Sequence, residues 1–317
     1  MDAPKTLREI IVFFDNYENC RQFLIGLRWP DGVVRCPHCD SAKVTYLAKA
    51  RVWKCYGNHD RPRFSLKTGT IFEDSPIGLD KWLPAMWLLV NCKNGVSSYE
   101  IHRDIKVTQK TAWFMMHRIR YALQTGSLGK ISGEVEVDET FIGGKARNMH
   151  ADKRAQKITA RGPEGKAIVA AVLERHGKVR ATVVETRRKP ELQQLVRENV
   201  QPGAALFSDA LKSYEGLAGE FEHQVIDHAE AYVKGNVHTN GLENFWSLLK
   251  RGLNGTYVSV EPFHLFRYID EQAFRYNNRE DMDDFDRFRL AASQIVGKRL
   301  TYETLTGKSA ELETQIV

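Results

Sequence analysis

The sequence has 317 residues, 42% hydrophobic and 27% charged, enough apolar material for two or three packed domains and too much for a disordered chain. No apolar run approaches the roughly 20 residues that cross a bilayer, and the opening residues lack the layout of a secretion signal, so a soluble cytoplasmic protein is expected. Lys and Arg number 46 against 40 Asp and Glu, a net charge of +6 that does not by itself define a polyanionic partner, and five cysteines in this length exclude a disulfide scaffold.

Residues 1–30 are predicted to be helical, with Leu7, Ile10, Ile11 and Phe14 at helical spacing and a turn at Trp29-Pro30-Asp31-Gly32. Short β-prone pieces follow around four potential metal ligands. Cys36-Pro-His-Cys39 places two thiolates on one tight turn. Cys55 follows after fifteen intervening residues and His59 after three more, a C-x2-C-x15-C-x3-H spacing that closes a tetrahedral zinc site. Such a closed site is structural, and zinc contributes about 10–16 kcal/mol to folding a module with so little core. His38 lies inside the knuckle and is the weaker ligand, while Cys20 and Cys92 sit in apolar helical contexts as small hydrophobes.

From Leu79 to about Leu123 the pattern is helical again, broken at Gly95 and at Lys106-Val107. Ser97–Asp104 and Thr108–Ala122 are spaced as a helix-turn-helix, with Thr108 as N-cap and Lys110, His117, Arg118 and Arg120 offering donors on the second helix. An ordinary helical hairpin fits nearly as well. Strands then dominate: EVEVDETFIG, AIVAAVLE, VRATVVE and AALFSD, with a helix at PELQQLVREN and two more at about 240–251 and 262–277. Lys145–Lys166 is a long polar connection with seven Lys/Arg and two acids, a DNA-tracking segment or a solvated loop.

Three acids stand out in this second half. In Val135-Glu136-Val137-Asp138 valines alternate with acids, as in a strand with one buried and one open face, and Asp209 closes a second apolar strand. Glu243 lies in HTNGLENFWSLLKRG. At about 100° per residue Glu243, Ser247 and Lys250 share one helix face, opposite Leu242, Phe245, Leu248 and Leu249. Two Asp and one Glu on adjacent elements suit a pair of hard divalent cations acting on a phosphodiester, and a lysine farther along suits the phosphate. Glu136, Glu139 and Asp227 read as surface or supporting carboxylates. Trp246 is better placed for core packing than for stacking on a base, and the acidic run Glu280–Asp286 reads as a solvated helix start.

Taken together these residues resemble the DDE-type transposases of insertion sequences, in the group that carries an N-terminal zinc ribbon. The likeness runs through RWPDGVVRCPHC, FSLKTGTIFEDSPIGLDKWLPAMWLL, VDETFIGG, LFSDALKSY, HTNGLENFWSLLKRG and HLFRYIDEQAFRYNNR, nearly the length of the chain. The resemblance implies an α/β ribonuclease-H-like catalytic core preceded by a zinc ribbon and a helix-turn-helix-like region. It implies Mg²⁺ or Mn²⁺ held by Asp138, Asp209 and Glu243, a DNA-contacting Lys250, and structural Zn²⁺ on Cys36, Cys39, Cys55 and His59. The expected reaction is cleavage at the element ends and joining of the 3′-hydroxyls to target DNA. The expected partners are duplex DNA and a further copy of the chain, as a homodimer or larger assembly on the nucleoid. Relatives vary at the third acid, some with Asn or His, and Asn240 and Asn244 lie nearby; Glu243 is chosen because Lys250 follows seven residues on. The Cys55/His59 pair departs from the commoner two cysteines. The expected division is 1–75 for the lead-in and ribbon, 76–130 for the helix-turn-helix-like region, 131–280 for the core and 281–317 for a helical tail. Two other readings stay open: a zinc-ribbon DNA-binding regulator without catalysis, and a structure-specific nuclease on the same core.

Overall fold

The computed structural model describes residues 4–124, 129–144, 150–152, 165–209, 211–226 and 238–307, so most of the 145–166 connection and Asp227 lie outside the described residues. The chain forms two compact units, residues 1–124 with 280–317, and residues 125–279.

The first unit begins with α1 (Leu7–Asp15) and α2 (Tyr17–Arg28), within the lead-in expected to be helical. Asn16 ends the first with extended backbone, and its side chain accepts from the Glu18 amide to start the second. Ile10 and Phe14 are buried but Ile11 is exposed. The zinc module is a three-stranded antiparallel sheet of β1 (Val44–Leu47), β2 (Val52–Cys55) and β3 (Arg63–Phe64). After it in the chain come α3 (Leu79–Asn91), α4 (Ser98–Ile105) and α5 (Gln109–Leu123). A Ser97–Glu100 capping box starts α4, left-handed Lys106 ends it, and Thr108 caps α5.

The C-terminal residues complete this unit, where a tail of its own was expected. Phe288, on α9 (Asp284–Ser293), stacks on Phe23 at 5.3 Å and meets Phe14 and Trp87 at 5.8 and 5.7 Å. Asp283 caps α9 through the Asp286 amide, so the acidic run is a helix start, and α10 (Tyr302–Thr306) follows.

The second unit is a five-stranded mixed sheet in the order β6-β5-β4-β7-β8: β4 (Glu134–Ile142), β5 (Ala167–Glu174), β6 (Val179–Val184), β7 (Ala205–Asp209) and β8 (Glu222–Ile226). The first three strands are antiparallel neighbours, and β7 and β8 run parallel to β4. This is the ribonuclease-H-like core, with β4 at its centre. Val135 and Val137 pack with Leu192, Leu195 and Val196 of α6 (Lys189–Asn199). Val169, Ala171 and Leu173 pack under α7 (Asn240–Arg251) and α8 (Leu265–Asn277). Helices on both faces explain why β5, next to the central strand, is apolar along nearly its whole length. Among the described residues no helix is long and apolar enough to cross a membrane.

Candidate functional site

Two sites emerge, one in each unit. In the first, one ligand atom from each of Cys36, Cys39, Cys55 and His59 lies within 4.8 Å of the others. The Cys39 and Cys55 sulfurs are 3.6 Å apart, and Cys36 Sγ is 3.4 Å from His59 Nε2. A tetrahedral zinc with ordinary bond lengths has edges of about 3.8 Å between sulfurs and about 3.6 Å from sulfur to nitrogen, so the quartet fits the ion. Gly57 lets the second knuckle close: a Cβ there would stand 2.7 Å from Cys39 Sγ, while its amide donates to Cys55 Sγ at 3.2 Å.

The second site is built on β4. Asp138 and Asp209 each follow the last pair of the β4–β7 register, Val137–Ser208, on parallel strands, and Asp209 is near enough to act on the Asp138 carboxylate. Asp138 is pushed up to about 7 by burial; the Trp246 indole opposes this, while Glu139 and Asp209 add to it. Trp246 Nε1 donates to Asp138 Oδ2 at 2.8 Å. The ring is thus core packing, as expected, and also a donor, which the sequence did not reveal. Asp209 Oδ1 accepts the Leu211 amide at 3.1 Å.

Glu139 is raised by burial and by Asp209, against the Tyr214 hydroxyl, which donates to it at 3.0 Å, and Arg187 at 3.5 Å. It is therefore a largely buried member of the acidic group and not a solvated surface residue.

The face of β4 bearing Glu136 and Asp138 is not open. Helix α7 covers it because β4 is the central strand of a two-sided sheet. Glu136 is 1% exposed, accepts the Leu242 amide at 3.0 Å and pairs with Arg175 at 3.1 Å and with His238 Nδ1 at 3.4 Å. Thr239, at the helix N-cap, makes no side-chain cap bond, so this carboxylate from the strand serves the first turn. Gly241 permits the approach: a Cβ would lie 2.5 Å from Leu173 and 2.8 Å from the Glu136 carboxylate. The alternation in EVEVD places Glu136 beside Asp138 on one face; Arg175, 39 residues away, carried no comparable signal.

Glu243 is exposed in the first turn of α7, and Lys250 is half-buried in the last. Leu242, Phe245 and Leu249 are buried as the helical spacing predicts, with Trp246 completing the buried face and Leu248 only half-buried. Asp138, Asp209 and Glu243 do not form a group with ligand atoms as closely gathered as the Cys/His quartet.

One expectation in the first unit is overturned. His117, Arg118 and Arg120 on α5 are 0%, 5% and 1% exposed, so they cannot reach a duplex; Lys110 is exposed. Arg118 Nε instead donates to the Leu300 carbonyl at 2.9 Å, from a segment 182 residues away.

Residues 130–277 match the ISXO2-like transposase domain, and residues 16–57 match the transposase zinc-ribbon domain. A protein of transposable element ISH50 of Halobacterium salinarum is 27% identical over 252 residues, covering 76% of this chain and 84% of that protein. A transposase-like protein of Haemophilus influenzae is 32% identical over 104 residues, 32% of this chain and 84% of its own length.

Proposed function

This chain belongs to the insertion-sequence transposases with an N-terminal zinc ribbon and an ISXO2-like catalytic domain, and from that premise we propose that it cuts its element's ends and joins their 3′-hydroxyls to target DNA. The observation that carries the reading is that Asp138 and Asp209 each follow the last residue paired between two adjacent parallel strands, near enough for Asp209 to raise Asp138, with Trp246 donating to one Asp138 oxygen.

The donor set is carboxylate oxygen, the chemistry of Mg²⁺ or Mn²⁺, and burial of neighbouring acids makes a divalent cation a relief to their repulsion. Asp138, Asp209 and Glu243 would hold it. When bound, such cations supply activation of the attacking oxygen and stabilisation of the leaving one. The chain's own residues do the rest. Trp246 fixes the Asp138 carboxylate, Tyr214 and Arg187 hold Glu139 beside the pair, and Glu136 ties the start of α7 to β4 so that Glu243 is carried on a fixed helix. Lys250 meets the phosphate backbone of the DNA. Joining two ends requires at least a dimer on DNA, and the nucleoid is where that substrate lies.

The test is cleavage and joining on DNA bearing the element ends, with Mg²⁺ or Mn²⁺, comparing wild type with Asp138→Asn. Metal-dependent 3′-end cutting and joining, lost in the variant, is the expected result. End-specific binding without cutting in either protein would replace the reading with a DNA-binding regulator, and cutting indifferent to end sequence would replace it with a nuclease.

A further inference from the structure

We propose that the outward face of the zinc-ribbon sheet is the surface by which this chain grips the phosphate backbone of duplex DNA. The inference rests on the transposase reading for the identity of the polyanion. Its geometry comes from the register of the ribbon.

Tyr46 pairs with Trp53, and Trp53 with Phe64, forming one row across the three strands. These rings pack together, 4.7 Å between the first two and 5.7 Å between the second two, on the inner face. Strand alternation therefore turns the next row outward: Thr45 opposite Lys54, and Lys54 opposite Arg63. Lys43 and Tyr56 extend that face by one pair, joined through the Tyr56 amide and the Lys43 carbonyl, and Arg61 precedes Arg63. All six of these side chains are exposed.

Three further observations point this face at a polyanion. Lys54 and Arg63 stand directly across from each other, an arrangement of like charges that destabilises a sheet and that a bound phosphate backbone would offset. Among the described residues none of Lys43, Lys54, Arg61 and Arg63 is ion-paired with a carboxylate. Residues 33–64 also hold seven Lys/Arg against two Asp, a net +5 within a chain whose total is +6. The aromatic Tyr56, 58% exposed with Lys54 Nζ 5.1 Å from its ring, adds a flat surface for a sugar or base edge. By contrast α5, the expected reader, buries three of its four candidate donors. Zinc holds the platform flat, since Cys55 ends the middle strand and His59 follows in the turn before the third.

The experiment measures binding of the full-length, zinc-loaded protein to a terminal-end duplex and a scrambled duplex across a salt series, by fluorescence anisotropy. Lys43→Ala/Lys54→Ala/Arg63→Ala should reduce the log–log salt slope by about 2.7 and weaken both duplexes on the order of 100-fold at roughly 0.1 M salt. The single Lys54→Ala should lower the slope by about 0.9. Zinc content and the thermal unfolding curve report that each variant is folded. Tyr56→Ala should weaken binding with the slope unchanged. An unchanged slope in both the single and triple variants overturns the assignment; a slope that falls instead in Lys110→Ala moves the contact to α5. Cleavage assayed on the same preparations separates the two readings: wild type that binds through this face but never cuts ends the transposase reading alone, and wild type that cuts while the variants bind undiminished ends the present one alone.

Discussion

The two sites are assembled in opposite ways. The zinc quartet comes from 24 consecutive residues, Cys36 to His59, on two knuckles of one small sheet, and its donor atoms already lie within 4.8 Å of each other. The proposed acidic site would draw on Asp138, Asp209 and Glu243, which lie on two strands and a helix spread over more than a hundred residues, and would depend on the packing of a complete domain. In the first the ligand set makes the fold; in the second the fold makes the ligand set. Loss of the ion should therefore undo the ribbon and leave the five-stranded sheet standing, whereas damage to that sheet should disperse the acids.

The sharpest way to break this comparison is to remove zinc. Chelation, or Cys55→Ser, should forfeit most of the roughly 10–16 kcal/mol that zinc brings to such a module, while the β-sheet signal of residues 134–226 persists in hydrogen exchange. Simultaneous loss of protection in both units would refute it. Next is Glu136→Ala, which removes the buried one of Arg175's two carboxylate partners, leaving it only the more exposed Glu134 at 3.2 Å, and frees the first turn of α7; a loss of about 3 kcal/mol is expected in denaturant unfolding.

Proton linkage follows. Burial pushes Asp138 up from 3.8 to about 7 in the folded chain, so its contribution to stability is full below about pH 4 and declines as the pH rises to about 7, because the unfolded chain then releases a proton that the folded one keeps. Metal-free protein should show that decline in chemical denaturation, Asp138→Asn should flatten it, and added Mg²⁺ should restore stability at the alkaline end. A decline equally steep in Asp138→Asn would place its origin elsewhere. The smallest effect belongs to Trp246→Phe, which keeps an aromatic ring in the core but removes the indole donor; about 1.5–3 kcal/mol of support for the Asp138 carboxylate should go, visible as a higher Mg²⁺ requirement for cleavage. An unchanged metal requirement would show that the donor does not position the carboxylate.

Much of this was legible in the sequence because it is local. The Cys/His spacing closes within one turn and one hairpin, and β4, β5, β6 and β7 announce themselves as apolar or alternating runs. Strand β8, Glu222–Ile226, is short, polar at its start and at the sheet edge, and gave no comparable signal. What stayed hidden depends on distant partners. Helical periodicity shows that Arg118 and Arg120 lie on α5, but not that residues near Leu300 return to cover that face. Alternation puts Glu136 and Asp138 together, but a central strand and an exposed one share the same pattern until α7 is seen to close over it.

The place of Phe288 sets an order of manufacture. Its ring sits among Phe14, Phe23 and Trp87, so the core of the first unit lacks a central side chain until the ribosome has passed the whole five-stranded sheet. During synthesis the nuclease-like domain is the first to have all its parts, and the zinc-bearing unit is finished last. A polypeptide released before residue 284 would thus carry the acidic site intact beside an N-terminal half with an open seam, an aggregation-prone fragment that quality control would meet before DNA did.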